Sequence, residues 1–341
     1  MSALRIVQFN EPQDFIEAAS QYDTYSMNFT LGSLLDYTDS IQAATQTHRD
    51  RPTKVLLAVY RGNELLLSLT KHAEAFAWMM ASPSHVDTSC AQDGADLLLA
   101  AQMLANYLSS ITDPNLVDKV IGPELAVDTF IKAWVAHMQS KGVHLTALEP
   151  SVKGWVLCAT RASLPPWSTP SSHNQVSLAS SQEDIAALAP LYVEFSRNGT
   201  HPQTLEVAQN VIREAVDKGK VWAYRSGDAV AGYILVGRVT PRTVAIRNVF
   251  VLPDHRRKGI AETMVHTVTR YYLGVAPSTH KGNSSTAPKE GIKEEICLNV
   301  SDPAAMKIYK RCGFMLDDVR DPHTERKRSF RSLWGGVERA Q

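Results

Sequence analysis

Read from apolar spacing and turn residues, the chain runs through one order of elements twice. The order is β-α-α-β-β-β-α-β-α-β-β over residues 4–160, and the same, short of the last strand, over residues 176–334. Strands and helices mixed in this way demand α/β domains, because each helix must bury its apolar stripe on a sheet. We expect two domains, each a mixed, mostly antiparallel sheet flanked by helices. Their joint is the proline- and serine-rich stretch 162–173, which leaves a first domain at 1–161 and a second at 174–341. Within each copy a hairpin signal recurs: Arg61-Gly62-Asn63-Glu64 in the first and Arg225-Ser226-Gly227-Asp228 in the second.

The copies differ at one turn. In the second, the apolar run 245–252 reads as a buried strand, stopped by Pro253 and Asp254. Arg256, Arg257, Lys258, Gly259, Ile260 and Ala261 follow, and a helix continues through Met264, Val265, Val268 and Tyr272. A basic, glycine-containing turn at a helix N-terminus suits an anion. Free N–H groups and the positive end of the helix dipole face it, arginine and lysine add formal charge, and a glycine lets a phosphate approach the backbone. The stretch reads as a pyrophosphate cradle. At the matching place in the first copy, residues 81–88 lack both the basic and the glycine positions.

Composition limits the remaining classes. Lys+Arg and Asp+Glu both number 35, so the net charge is zero, where a nucleic-acid or anionic-membrane binder would show basic excess. No apolar run approaches the roughly 18 residues of a membrane span. The N-terminus has no charged region followed by an apolar one, so a cytoplasmic protein is expected, with the nucleus open as well. Cys90, Cys158, Cys297 and Cys312 are scattered and read as reduced, buried thiols. No metal-binding constellation emerges, and lone histidines such as His72, His85 and His137 read as surface or core residues. Residues 275–291, rich in Pro, Ser, Thr, Gly and Lys, are expected to form a mobile insertion.

On these residues the second half resembles the GNAT superfamily of acyl-CoA-dependent N-acetyltransferases. The resemblance rests on Val249-Phe250-Val251-Leu252-Pro253, on Arg256-x-x-Gly259-x-Ala261, and on Tyr309-x-x-x-Gly313-Phe314. It covers roughly residues 174–334, and the first half resembles the degenerate domain of tandem GNAT proteins in element order. It implies acetyl-CoA as acyl donor and an amine as acceptor, either a small molecule or a protein amine, with no metal. The turn Arg256, Arg257, Lys258, Gly259, Ile260, Ala261 would hold the pyrophosphate. The backbone of Val249, Phe250 and Val251 would pair with the pantetheine amides, and the N–H of Val251 or its neighbour would polarise the thioester carbonyl.

By spacing alone Tyr309 reads as a core aromatic; in the resemblance it faces the departing sulfur and protonates the thiolate. The family often has Asn seven residues before that tyrosine. This chain has Asp302, which can cap the helix, and Asn299 is a possible substitute contact. An acceptor amine with a pKa of about 10.4 must lose a proton, and Glu194, Asn248 and His255 are the candidate acceptors of it. The rival reading is a non-catalytic acyl-CoA-binding or interaction protein that keeps the cradle.

Overall fold

Period-2 alternation decides the packing in the computed structural model of the protein, which describes residues 3–43, 54–72, 77–83, 91–166, 175–197, 202–275 and 289–339. In chain order the first elements are β1 (Leu4–Phe9), α1 (Pro12–Ala19), α2 (Ser33–Ala43), β2 (Val55–Arg61), β3 (Glu64–Lys71) and β4 (Trp78–Ala81). They are followed by α3 (Ala91–Ile111), β5 (Lys119–Pro123), α4 (Glu124–Ser140), β6 (Leu145–Ala147) and β7 (Val152–Thr160). Then come β8 (Val176–Leu178), α5 (Gln182–Ser196), α6 (Leu205–Asp217), β9 (Val221–Ser226), β10 (Ala229–Gly237) and β11 (Thr243–Val251). The chain ends through α7 (Ile260–Tyr272), β12 (Glu295–Val300), α8 (Pro303–Arg311) and β13 (Ser329–Arg339).

The described chain forms two compact units. The first comprises residues 1–156, 238–243 and 329–341, the second 157–237 and 244–328. The units therefore do not follow the sequence halves on either side of 162–173: the last strand of the second half serves the first unit. In the first unit the strand order is β1-β2-β3-β4-β5-β13, antiparallel except where Trp78 and Met79 of β4 run parallel to Val120 and Ile121 of β5. Along β2, Val55, Leu57 and Val59 enter the core under α3 and α4, while Leu56, Ala58 and Tyr60 enter the core under α1 and α2. Burying a leucine or valine fully stabilises the fold by roughly 1.5–3 kcal/mol, so a sheet covered on both faces draws on two such sets. Gly335 and Gly336 give β13 its place. A Cβ at the first would meet Ile131 at 2.4 Å, and one at the second the Asp118 carbonyl at 2.5 Å.

The turn at 238–243 is part of the first unit because buried polar groups hold it. Asp23 accepts from Thr240 Oγ1 at 2.7 Å and from the Arg242 N–H at 2.9 Å. Asn28 Nδ2 donates to the Arg238 carbonyl at 2.8 Å and to Thr243 Oγ1 at 2.9 Å. Apolar spacing in the sequence predicts a helix over Leu31–Thr47; the structure instead has a π-turn, Asn28–Gly32, to which Asn28 belongs, ahead of α2. Asp36 accepts from the Arg238 N–H, and Arg238 takes the left-handed φ of 51°. Pro123 closes β5 with an extended ψ of 132° and stands just before α4.

His72, 3% exposed and 5.1 Å from the Tyr37 ring, follows β3. Burial lowers its pKa to about 4, Arg238 and Lys71 pushing the same way and Asp36 opposing. The folded value lies below the unfolded one, so this contribution to stability is complete above pH 6.5 and is lost as pH falls toward 4. Between pH 7 and pH 5 the loss is on the order of 2 kcal/mol. Denaturant unfolding of the wild type and His72→Gln at both pH values checks it; an equal acid loss in the variant would remove His72 as the source.

In the second unit the order is β8-β9-β10-β11-β12-β7. Ile185, Leu188 and Leu191 of α5 and Ile212 and Val216 of α6 pack on Val221, Ala223, Tyr233 and Phe250 of the sheet. The chain at the start of the expected linker is firmly attached here, through Arg161 just before it and Ser163 within it. Arg161 donates from Nε and Nη2 to the Leu273 carbonyl just past α7, and Ser163 Oγ to the Gly313 carbonyl just past α8 at 2.7 Å. Gly313 takes a φ of +96°, and a Cβ there would also meet the Ser163 carbonyl at 3.0 Å, so both backbone angle and space call for glycine. Residues 167–173 of the linker, residue 174, 276–288 of the expected insertion, 84–88 of the first-half turn, 44–47, His85 and Cys90 lie outside the described residues. Among the described residues, Cys158, Cys297 and Cys312 are buried and not joined in disulfides. Among the described residues no helix is long and apolar enough to cross a membrane.

Candidate active site

β11 carries a bulge. Leu235 pairs with Asn248 and Val236 with Ile246, so Arg247 is the extra residue. Beyond it Phe250 turns into the core beneath α5 and α6. The Leu252 N–H donates to the Ala231 carbonyl at 2.9 Å. By strand alternation Leu252 and Phe250 then point their backbone groups at β10, and Val249 and Val251 point theirs at the opposite edge. The Val251 carbonyl there accepts from Arg256 Nε at 3.0 Å, and the Arg256 guanidinium lies 5.8 Å from the centre of the Phe250 ring.

The turn after β11 begins as a 3-10 turn, Pro253–His255, held by the Arg256 N–H to the Pro253 carbonyl at 3.1 Å. Arg257 and Gly259 both take left-handed φ, 64° and 77°. Gly259 is the N-cap of α7, whose first intrahelical bond runs from the Thr263 N–H to the Gly259 carbonyl at 2.9 Å. No side chain caps this helix. Its neighbours are capped: α5 by Ser181, α6 by Thr204 and α8 by Asp302, which accepts from the Ala304 N–H at 2.8 Å. The opening amides of α7 have no intrahelical acceptor, and a Cβ built on Gly259 would meet nothing within 4 Å. Space thus stands over the amides where a side chain would otherwise project.

That space is part of a cleft of about 870 Å³. Val249, Phe250 and Val251 line it from β11; His255, Arg256, Arg257 and Gly259 from the turn; and Ile260 and Ala261 from α7. Asp302 and Tyr309 line it from α8. Two expected residues are not among its lining. Lys258 Nζ instead reaches the Asp254 carbonyl at 3.0 Å, and Asn299 sits half-buried on β12. The Tyr309 ring meets Phe314 edge-on at 5.9 Å, and burial pushes its phenol pKa well above the usual value, with Cys312 and Asp302 adding to the rise. A phenol in that state stays protonated at neutral pH and can donate.

Of the candidate proton acceptors, His255 lines the cleft while Glu194 and Asn248 do not. Asn248 Nδ2 lies 3.4 Å from Tyr233 Oη, a long contact. The lining also includes Phe195, Glu262, Lys307 and Arg311, which sequence reasoning missed. Ala305 and Ile308 share a helical face with Tyr309, a signal the sequence did hold; the meeting of Glu262 with Arg311 across two helices had none. Among the described residues, no group of three His, Cys, Asp or Glu could hold a metal ion.

Residues 217–316 match the family model described as an acetyltransferase (GNAT) domain, and this stretch carries such a domain. It contains the turn, β11 and Tyr309. No curated protein matches the chain. Among solved structures, the chain is similar to a GNAT-family acetyltransferase from Colwellia psychrerythraea at 10% identity, covering 97% of this chain and 99% of that one, with a TM-score of 0.48. It is also similar to a GCN5-related N-acetyltransferase from Sphaerobacter thermophilus at 13% identity, covering 99% and 97%, with a TM-score of 0.49. A tandem GNAT protein from the clavulanic acid biosynthesis pathway is 12% identical, with 99% of both chains covered and a TM-score of 0.45.

Proposed function

We propose that the second unit transfers the acetyl group of acetyl-CoA directly to a primary amine, and that the first unit is a GNAT-like partner without a cofactor turn. The observation that carries this reading is the uncapped start of α7: open space over Gly259 meets a cleft that Val249, Phe250 and Val251 of β11 and the Tyr309 phenol also line. Acetyl-CoA fits that set, since it brings a pyrophosphate, two amides on an extended arm, and a thioester.

The amides from Gly259 to Ala261 and the Arg257 guanidinium bind the pyrophosphate, and Lys258 adds charge from outside the cleft. Arg256, bonded to the Val251 carbonyl, fixes the turn against β11. Val249 and Val251 offer backbone groups to the pantetheine amides, and the Val251 N–H polarises the thioester carbonyl. The amine nitrogen forms the new C–N bond as the C–S bond breaks. Tyr309 gives its proton to the thiolate, and His255, directly or through water, takes the proton the amine sheds. Asp302 serves as the cap of α8, so its carboxylate has a structural role where the family often has Asn.

Steady release of free thiol from acetyl-CoA, matched mole for mole by acetylated amine across a panel of primary amines, is the expected result. Tight acetyl-CoA binding with no turnover on any amine would replace this reading with that of a non-catalytic acyl-CoA-binding protein.

A further inference from the structure

The cleft holds a charge pair that the transfer chemistry leaves unused. Glu262, the third residue of α7, and Arg311, the last of α8, both line it. The guanidinium grips the carboxylate as a fork, Nε donating to Oε1 at 2.9 Å and Nη2 to Oε2 at 2.6 Å. The side chains are 37% exposed at Glu262 and 55% at Arg311, a setting in which an ion pair adds little stability. A carboxylate in the first turn of an anion-binding helix also works against the anion, and Arg311 cancels that charge. The fork uses two of the five N–H donors, so both on Nη1 and one on Nη2 remain, held in a fixed plane.

Of the three cations of the turn, Arg257 lines the cleft and is the one assigned to the pyrophosphate, and the other two are engaged elsewhere. Arg256 is bonded to the Val251 carbonyl, and Lys258 reaches the Asp254 carbonyl outside the cleft. Arg311 stands beside the α7 amides rather than at them, on the next helix. Coenzyme A carries a further phosphate, a monoester on the ribose beside the pyrophosphate, with nearly two negative charges at neutral pH. A planar guanidinium already oriented by a carboxylate suits such a group. We infer that Arg311, with Glu262 as its positioning residue, reads the ribose 3′-phosphate and separates acetyl-CoA from thioesters on carriers that lack it. This inference rests on the acetyl-CoA reading above.

Calorimetric titration of the whole protein with CoA and with 3′-dephospho-CoA tests it, because the ratio of the two affinities isolates the one phosphate. The wild type is expected to favour CoA by at least about tenfold, the scale of one charge-assisted contact. Arg311→Ala brings the ratio to about one, Arg311→Lys retains part of it, Glu262→Gln lowers it, and Lys307→Ala keeps the wild-type ratio. A ratio that survives in Arg311→Ala, that collapses in Lys307→Ala instead, or that is already near one in the wild type overturns the assignment. Failure of the wild type to bind either ligand overturns the acetyl-CoA reading itself.

Discussion

Gly259→Glu is expected to weaken acetyl-CoA binding by about two orders of magnitude while the protein stays folded. The open space over Gly259 is what a side chain would fill, and a carboxylate there meets the pyrophosphate at contact distance. Two like charges at about 4 Å repel by roughly 4 kcal/mol at a partly exposed site, and a hundredfold loss needs about 2.7 kcal/mol. The folded state loses less, about 1–2 kcal/mol, for holding a Cβ at a φ of +77°. Binding titrations beside a thermal melt separate the two costs. Lys258→Glu is the informative comparison: it changes the charge more, yet from a side chain outside the cleft, and is expected to do less. Unchanged affinity in Gly259→Glu would mean that the basic turn is a solvated charge run with no ligand.

Tyr309→Phe is expected to lower kcat by 10²-fold or more, the usual scale for a removed general acid, with little change in KM for acetyl-CoA. The ring keeps its edge-on contact with Phe314, so the helix and the cleft wall survive the loss of one oxygen. Because burial raises the phenol's pKa, its proton is retained through neutral and mildly alkaline pH. The wild-type rate should therefore show no alkaline decline from this group below about pH 10. A kcat for Tyr309→Phe within a fewfold of wild type would return the residue to the role that spacing alone suggests, a packing aromatic.

What the sequence made legible was local. The cradle could be read because Pro253, Gly259 and the basic residues act through their own backbone and the helix they begin. Tyr309 could be read because Gly313 and Phe314 follow at fixed offsets. The alternation of β2 told which residues are buried, but not which helices cover which face. Illegible features depend on residues far apart in the chain. Lys258 was expected in the cradle with its neighbours, but the left-handed turn at Arg257 and Gly259 accompanies a side chain directed at the Asp254 carbonyl. Nothing in Asn28 or Asp23 announces Thr243 or Thr240, more than 200 residues later. Apolar periodicity likewise finds a strand near residue 330 without naming the strand it will join.

That last strand has a consequence for how the protein is made. β5 pairs through Lys119–Pro123 with residues 332–336 of β13. On a chain synthesised from its N-terminus, β5 and its helices leave the ribosome more than 200 residues before their partner does. Until then the first unit carries an open strand edge, with a row of unpaired N–H and carbonyl groups, and it also lacks the turn at 238–243 that Asp23 and Asn28 hold. Such an edge is a template for pairing with another chain, and distant pairings form slowly. The first unit is the earlier one translated and the later one finished, so the burden of protection during synthesis falls on the half whose sequence lacks the basic, glycine-containing turn.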